Sequence, residues 1–188
     1  MKFQHIHRRQ ILHTAALGAG ALLGRQVFAA EFMDIGQAQK TLLPQAEHFL
    51  PVPAALDDAR LATVAKLSDT RLPRHFSPRL WQAMAEGKSV GWIAADRVIG
   101  KYDWIDFAVG YTPQATVVGV EILAYRESHG AEVRQGAWRR QFTGRQGAQN
   151  MRFADDIRNI SGATLSCQHV TEGIQRLSAL VGLTQPGR

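Results

Sequence analysis

Two alternating apolar runs on either side of a short turn limit the fold of this chain more than any other feature. In residues 104–110, Ile105, Phe107 and Val109 point one way and Asp106 and Ala108 the other, the period-2 pattern of a half-buried strand. Thr112, Pro113 and Gln114 supply a turn. Residues 116–125 read as the strongest strand, with Val118, Val120, Ile122 and Ala124 expected on one face. Strands joined by so short a turn pair antiparallel. Residues 90–95, carrying Trp92 and Ile93, read as a further strand. From Thr164 onward the pattern changes. Val170, Ile174, Leu177 and Val181 recur at helical spacing, and Gly182 is expected at the C′ position that ends the helix.

Upstream of the sheet, residues 30–86 read as a helical and loop-rich segment. A helical stretch over 37–49 is interrupted by Pro44. Asp57 or Asp58 is expected to start a helix that carries Leu61, Val64, Ala65 and Leu67. A second short helix is expected from Pro78, with Leu80, Trp81 and Met84 on one side. Pro51, Pro53, Pro73 and Pro78 cut this region into short pieces. Residues 135–142 suggest one more short helix. Helices, then strands, then a closing helix predict an α+β fold, an antiparallel sheet with packed helices. The expected organisation is a leader over 1–29, a helical and loop segment over 30–86, and the main domain over 87–188.

The leader reading rests on three features. Arg8 and Arg9 are basic, residues 15–24 are small and apolar, and Val27, Phe28 and Ala29 resemble a cleavage site. The arginine pair resembles a twin-arginine export signal. The apolar run is too short to span a bilayer, so a soluble periplasmic or other extracytoplasmic protein is expected. The chain has 22 basic and 16 acidic residues, and four of the basic ones (Lys2, Arg8, Arg9 and Arg25) lie in the leader. The remaining 18 basic residues nearly balance the acids, so the charge gives no reason to expect nucleic-acid binding. The single cysteine, Cys167, excludes an internal disulfide and reads as a small buried helix residue.

One segment carries the candidate chemistry. Ser161, Gly162, Ala163, Thr164, Leu165 and Ser166 are mostly small, with a hydroxyl at Thr164 and a helix directly after it. Backbone there can approach a bulky ligand closely, and the helix N-terminus favours an anion. Taken alone, the same residues also suit an ordinary helix start after a tight turn. Ser161, Ser166 and His169 have no separate acid to complete a hydrolytic set. Cys167 and His169 are two residues apart on a helix and do not face one another, which argues against a metal pair.

The run Ser-Gly-Ala-Thr-Leu-Ser resembles the flavinylation motif of the FMN-binding domain family, which includes RnfG- and NqrC-type subunits of membrane electron-transport complexes. The resemblance spans about Gly91 to Val181. It implies that Thr164 carries FMN through a phosphoester, with Ser161, Gly162, Ala163, Leu165 and Ser166 around it. Residues 119–130 resemble the family's strand ending in Glu-Thr-Pro-Gly, with Ser128 and His129 in place of Thr and Pro; this implies that Glu127, Ser128 and His129 line the flavin. His129 is equally at home as a plain turn residue. Residues 138–142 resemble the family's Trp-x-x-Gln-Phe segment. Trp138 is then either near the ring system or, as aromatic packing favours, in the core. Arg158 stands where the family usually has Asp, and the nearest acids are Asp155 and Asp156. Asp156 could take that place if the loop were two residues longer. The resemblance implies an exported electron-transfer flavoprotein, matured by a flavin transferase and exchanging electrons with a membrane or extracytoplasmic redox partner. The alternative is a noncovalent FMN-binding or scaffold module of a redox assembly. An independent oxidoreductase would need a substrate pocket that no motif marks.

Overall fold

A computed structural model describes residues 30–127 and 130–185. The elements run β1 (Ala30–Glu31), α1 (Ile35–Leu42), β2 (His48–Val52), α2 (Asp58–Ser68), β3 (Arg79–Ala85), β4 (Lys88–Ile99), β5 (Trp104–Tyr111), β6 (Val117–Tyr125), α3 (Gly136–Arg139) and α4 (Thr164–Gly182). Short 3-10 turns at Ala131–Arg134, Arg140–Phe142 and Ala148–Asn150 connect the last three. The six strands form one sheet in the order β1-β6-β5-β4-β3-β2, antiparallel throughout. This is the expected α+β class. Residues on both sides of position 86 share the sheet, and the 86/87 boundary falls at the β3–β4 turn.

α4 closes one face of the sheet. Cys167, Val170, Ile174, Leu177, Leu180 and Val181 are fully buried in a core shared with Val98, Ile105, Phe107, Val109 and Tyr111. Each fully buried aliphatic of this size contributes about 1.5–3 kcal/mol relative to exposure. The helix approaches β5 so closely at Gly173 that an added Cβ would lie 2.6 Å from Phe107 Cζ. α1 covers the opposite face, where Ala38 and Leu42 join Ile93, Ala95, Ala108 and Leu123. Asp34 caps α1 in a reciprocal box with Gln37, and Asp57 caps α2 through the Arg60 amide.

Several expectations change. The helix expected from Pro78 is strand β3. Leu80 packs in the α4-side core and Trp81 in the α1-side core, so the strand is apolar on both faces and does not alternate; its register with β4 also shifts between Ala83 and Met84. β1, β2 and β3 thus put strand into a segment read as helix and loop. Pro51 does not break β2, because β2 is an edge strand. β5 points as expected, but β6 does not keep one face. Register shifts opposite Asp106/Phe107 and Gly110/Tyr111 put Val117, Val120, Ile122 and Tyr125 in the α4-side core, while Val118 and Leu123 pack with α1. Helix α4 runs through Gly182 and is capped by Leu183, so Gly182 is its last residue and not C′.

Candidate functional site

The sheet delivers two turns to the start of α4. The β4–β5 turn brings Lys101 and Tyr102, and the end of β6 brings Glu127. With Gly162, Ala163, Thr164, Leu165 and Ser166 they line a cleft of about 580 Å³, within the size range of small-molecule sites. Five of the six residues expected from the small-residue segment therefore gather with Glu127. Ser161 is exposed next to them. Ser128 and His129 lie outside the described residues.

Thr164 is the first residue of α4 and is exposed. Its Oγ1 accepts a 2.9 Å hydrogen bond from Asn159 Nδ2. No side chain caps the helix, which leaves its first-turn N–H groups for an anion. Gly162 takes φ +87 with open space where a Cβ would be, so it is a turn requirement and not a packing one. Leu165 is 42% exposed and Tyr102 76% exposed, two apolar surfaces on one cleft.

Glu127 is fixed by backbone. Its Oε1 accepts from the amides of Tyr102 and Asp103, the latter at 2.9 Å. A Cβ on Gly100 would sit 2.7 Å from the same oxygen, so only glycine leaves room for the carboxylate there. The turn is held from the helix side too: His169 Nδ1 lies 2.6 Å from the Ile99 carbonyl and 3.0 Å from that of Gly100, which requires the Nδ1–H tautomer. Lys101 Nζ lies 4.8 Å from the centroid of the Tyr102 ring. Its ammonium pKa is raised, first by the contact with Tyr102 and also by the Glu127 charge.

Under the cleft, Ser166 Oγ pairs with Tyr125 Oη at 3.0 Å in the core. Gly130, at φ +85, passes against this pair, and its Cβ would meet Tyr125 Oη at 2.7 Å and Ser166 Oγ at 2.8 Å. Burial pushes the Tyr125 phenol and the Cys167 thiol upward. Cys167 is the buried, inert helix residue expected of it.

Trp138 does not line the cleft. Its ring is buried edge-on against Phe142 with centroids 5.2 Å apart, and its Nε1–H donates to the Arg158 carbonyl at 2.9 Å. Asp156 does not take the place of the missing Asp. Its Oδ2 accepts from the Arg152 amide at 2.9 Å and from Arg152 Nε at 3.2 Å, which closes a local loop. Lys101, Tyr102, Asn159 and His169 are the site residues that sequence reasoning missed. Of these only Asn159, five positions before Thr164, is near it in the sequence.

A larger cleft of about 690 Å³ lies elsewhere, lined by residues including Glu31, His75, Asp96, Trp104 and Arg126. Its arginines Arg97 and Arg126 are already paired with Asp106, at 3.3 and 2.7 Å. Burial pushes its carboxyl Asp96 up to about 6. Size alone favours this cleft; the smaller one holds the Thr164 hydroxyl, the uncapped helix and the fixed carboxylate together. Its donors (helix amides, Lys101, the Asn159 amide) suit a phosphate, and its apolar walls, Tyr102 and Leu165, suit a flat ring.

Among the described residues no helix is long and apolar enough to cross a membrane, and no cluster of ligating side chains suits a metal ion. Comparison with the curated proteins finds no match. Among solved structures, NqrC of Shewanella oneidensis superposes with a TM-score of 0.50 at 14% identity, over 80% of this chain and 87% of that one. That likeness is one of fold. The sequence profile described as the FMN-binding domain matches residues 100–179, which begin at the β4–β5 turn and end inside α4. Over residues 100–179 the chain is thus similar to the FMN-binding domain, and the cofactor to which that match points is FMN.

Proposed function

We propose that this chain is an exported flavoprotein that relays electrons, with FMN joined to Thr164 through a phosphoester. The observation that carries the reading is the exposed Thr164 hydroxyl at the uncapped start of α4, in one cleft with Glu127, Tyr102 and Leu165. Bound FMN would supply the redox chemistry; the chain supplies position and electrostatics. The α4 amides and the Asn159 amide would hold the phosphate. Tyr102 and Leu165 would offer apolar surface to the ring system. Glu127, fixed by two amides, and Lys101 would set the charge beside it. Attachment needs a flavin transferase, and the electrons come from or go to a membrane or extracytoplasmic redox partner. Arg8 and Arg9, which lie with the leader outside the described residues, support export.

A second reading, FMN held without a covalent bond, is favoured by Arg158 at the usual Asp position and by the engagement of Asp156 with Arg152. Mass spectrometry of the intact protein after co-expression with a flavin transferase separates the two. One FMN less one water on the Thr164 peptide, absent from Thr164→Ala, supports the phosphoester. An unmodified chain with flavin released on denaturation supports the second reading.

A further inference from the structure

We infer that Asn159 is a positioning residue for flavin attachment: its side-chain amide orients the Thr164 hydroxyl toward the incoming phosphorus. The inference rests on the covalent reading above. Its geometric basis is the 2.9 Å hydrogen bond from Asn159 Nδ2 to Thr164 Oγ1. An amide N–H occupies one acceptor site of the hydroxyl oxygen. The hydroxyl proton must then point away from Asn159, and the remaining lone pair with it. Both lie on an exposed face that an enzyme can reach.

The position of Asn159 is itself secured. The preceding residue, Arg158, is gripped through its backbone on both sides. Its N–H donates to Gln141 Oε1 at 2.9 Å, and its carbonyl accepts from Trp138 Nε1 at 2.9 Å. Trp138 and Gln141, three residues apart, form a clamp on the acceptor loop. Ile160 follows, and its carbonyl accepts from the Ala163 amide at 3.0 Å. Asn159 thus projects from a short segment tied down before and after it.

Charge explains why an amide suits this place. In the transfer, Thr164 Oγ attacks the flavin-side phosphorus of FAD. The P–O bond of the pyrophosphate breaks, AMP leaves, and the hydroxyl proton goes to a base of the transferase. The product is an anionic phosphodiester on Oγ. A carboxylate at 159 would accept from the hydroxyl and then repel that diester. An amide donates to the oxygen before transfer and to the diester afterwards. Both acids of this loop face Arg152 instead: Asp156 is hydrogen-bonded to it and Asp155 Oδ2 lies 3.8 Å from its Nε.

The test uses the full mature chain with purified transferase, FAD and Mg²⁺, following covalent flavin by mass. Asn159→Ala should lower kcat about three- to tenfold, the worth of one neutral hydrogen bond, with KM for FAD and the thermal midpoint unchanged. Asn159→Asp should be slower still at pH 8 and should recover relative to the native chain as pH falls toward the ordinary Asp range of about 4, where its carboxyl becomes a donor. Asn159→Gln, which keeps a donor, should restore part of the rate. Native-like rates and pH profiles in all three variants would overturn the positioning role while leaving the phosphoester intact. A native chain that the active transferase leaves unmodified would overturn both.

Discussion

Gly130→Ala probes the contact that joins the end of β6 to the floor of the cleft. Two separate costs add. The backbone there has φ +85, and an L-residue in that region costs about 1–2 kcal/mol. The new Cβ would also lie 2.7 Å from Tyr125 Oη and 2.8 Å from Ser166 Oγ. The serine hydroxyl can rotate away, but only by giving up its bond to the buried phenol, a net loss of about 0.5–1.5 kcal/mol. The expected loss is about 1.5–3.5 kcal/mol, taken as the plain total of those two ranges. Gly144→Ala is the control: φ is +80 there, but nothing lies within 4 Å of its Cβ. It should lose only the backbone term. Urea titration followed by far-ultraviolet dichroism reads both, with the slope checked for constancy. Equal losses in the two variants would refute the contact argument, and no loss in either would refute the backbone assignment as well.

Other outcomes follow from the same geometry. Gly173→Ala should gain about 1 kcal/mol of helix propensity but lose about 1–3 kcal/mol to overpacking against Phe107. A lowered thermal midpoint is expected, whereas Gly182→Ala, with open space around it, should raise it. Glu127→Ala should shift the flavin spectrum or midpoint potential of the loaded protein more than its stability; spectroelectrochemistry unchanged from the native protein would remove Glu127 from the site. Burial raises the folded pKa of Asp96 from the ordinary carboxylate range to about 6. Its contribution to stability is therefore full below the unfolded value and is lost as pH rises through about 6. Asp96→Asn should raise the unfolding midpoint at pH 8, by on the order of 2 kcal/mol, and change it little at pH 3.5. An equal effect at both pH values would contradict the raised pKa.

What could be read from the chain was what repeats locally. β5 shows its alternation because every second side chain enters the α4 core. Asp57 announces α2 because capping is a contact three residues long. Thr164 stood out through its small neighbours and the helix behind it. The failures have equally physical causes. β3 looked helical because it packs on both faces, Leu80 on one and Trp81 on the other, and a register shift follows before Met84. β6 lost its expected face through register shifts, since each extra residue turns the following side chains over. The partners of Glu127 lie 24 and 25 residues away and are backbone amides, so no side-chain motif encodes them. Trp138 is recognisable as part of a pattern, but its role depends on a carbonyl 20 residues later.

In the proposed phosphoester form, the placement of Thr164 on the first turn of α4 has a consequence for electron exchange. α4 is the helix most deeply sunk into the core, with every residue from Gly173 to Val181 buried. A carrier hung from a surface loop would sweep through many distances and angles to its partner. One anchored on this helix is tied to a turn whose neighbouring residues Ser166, Cys167 and Val170 are buried. Its remaining freedom is that of the cofactor's own chain between phosphate and ring. The reach of the flavin, and so the separation across which an electron must pass, is then set by the cofactor's length and not by the protein's motion.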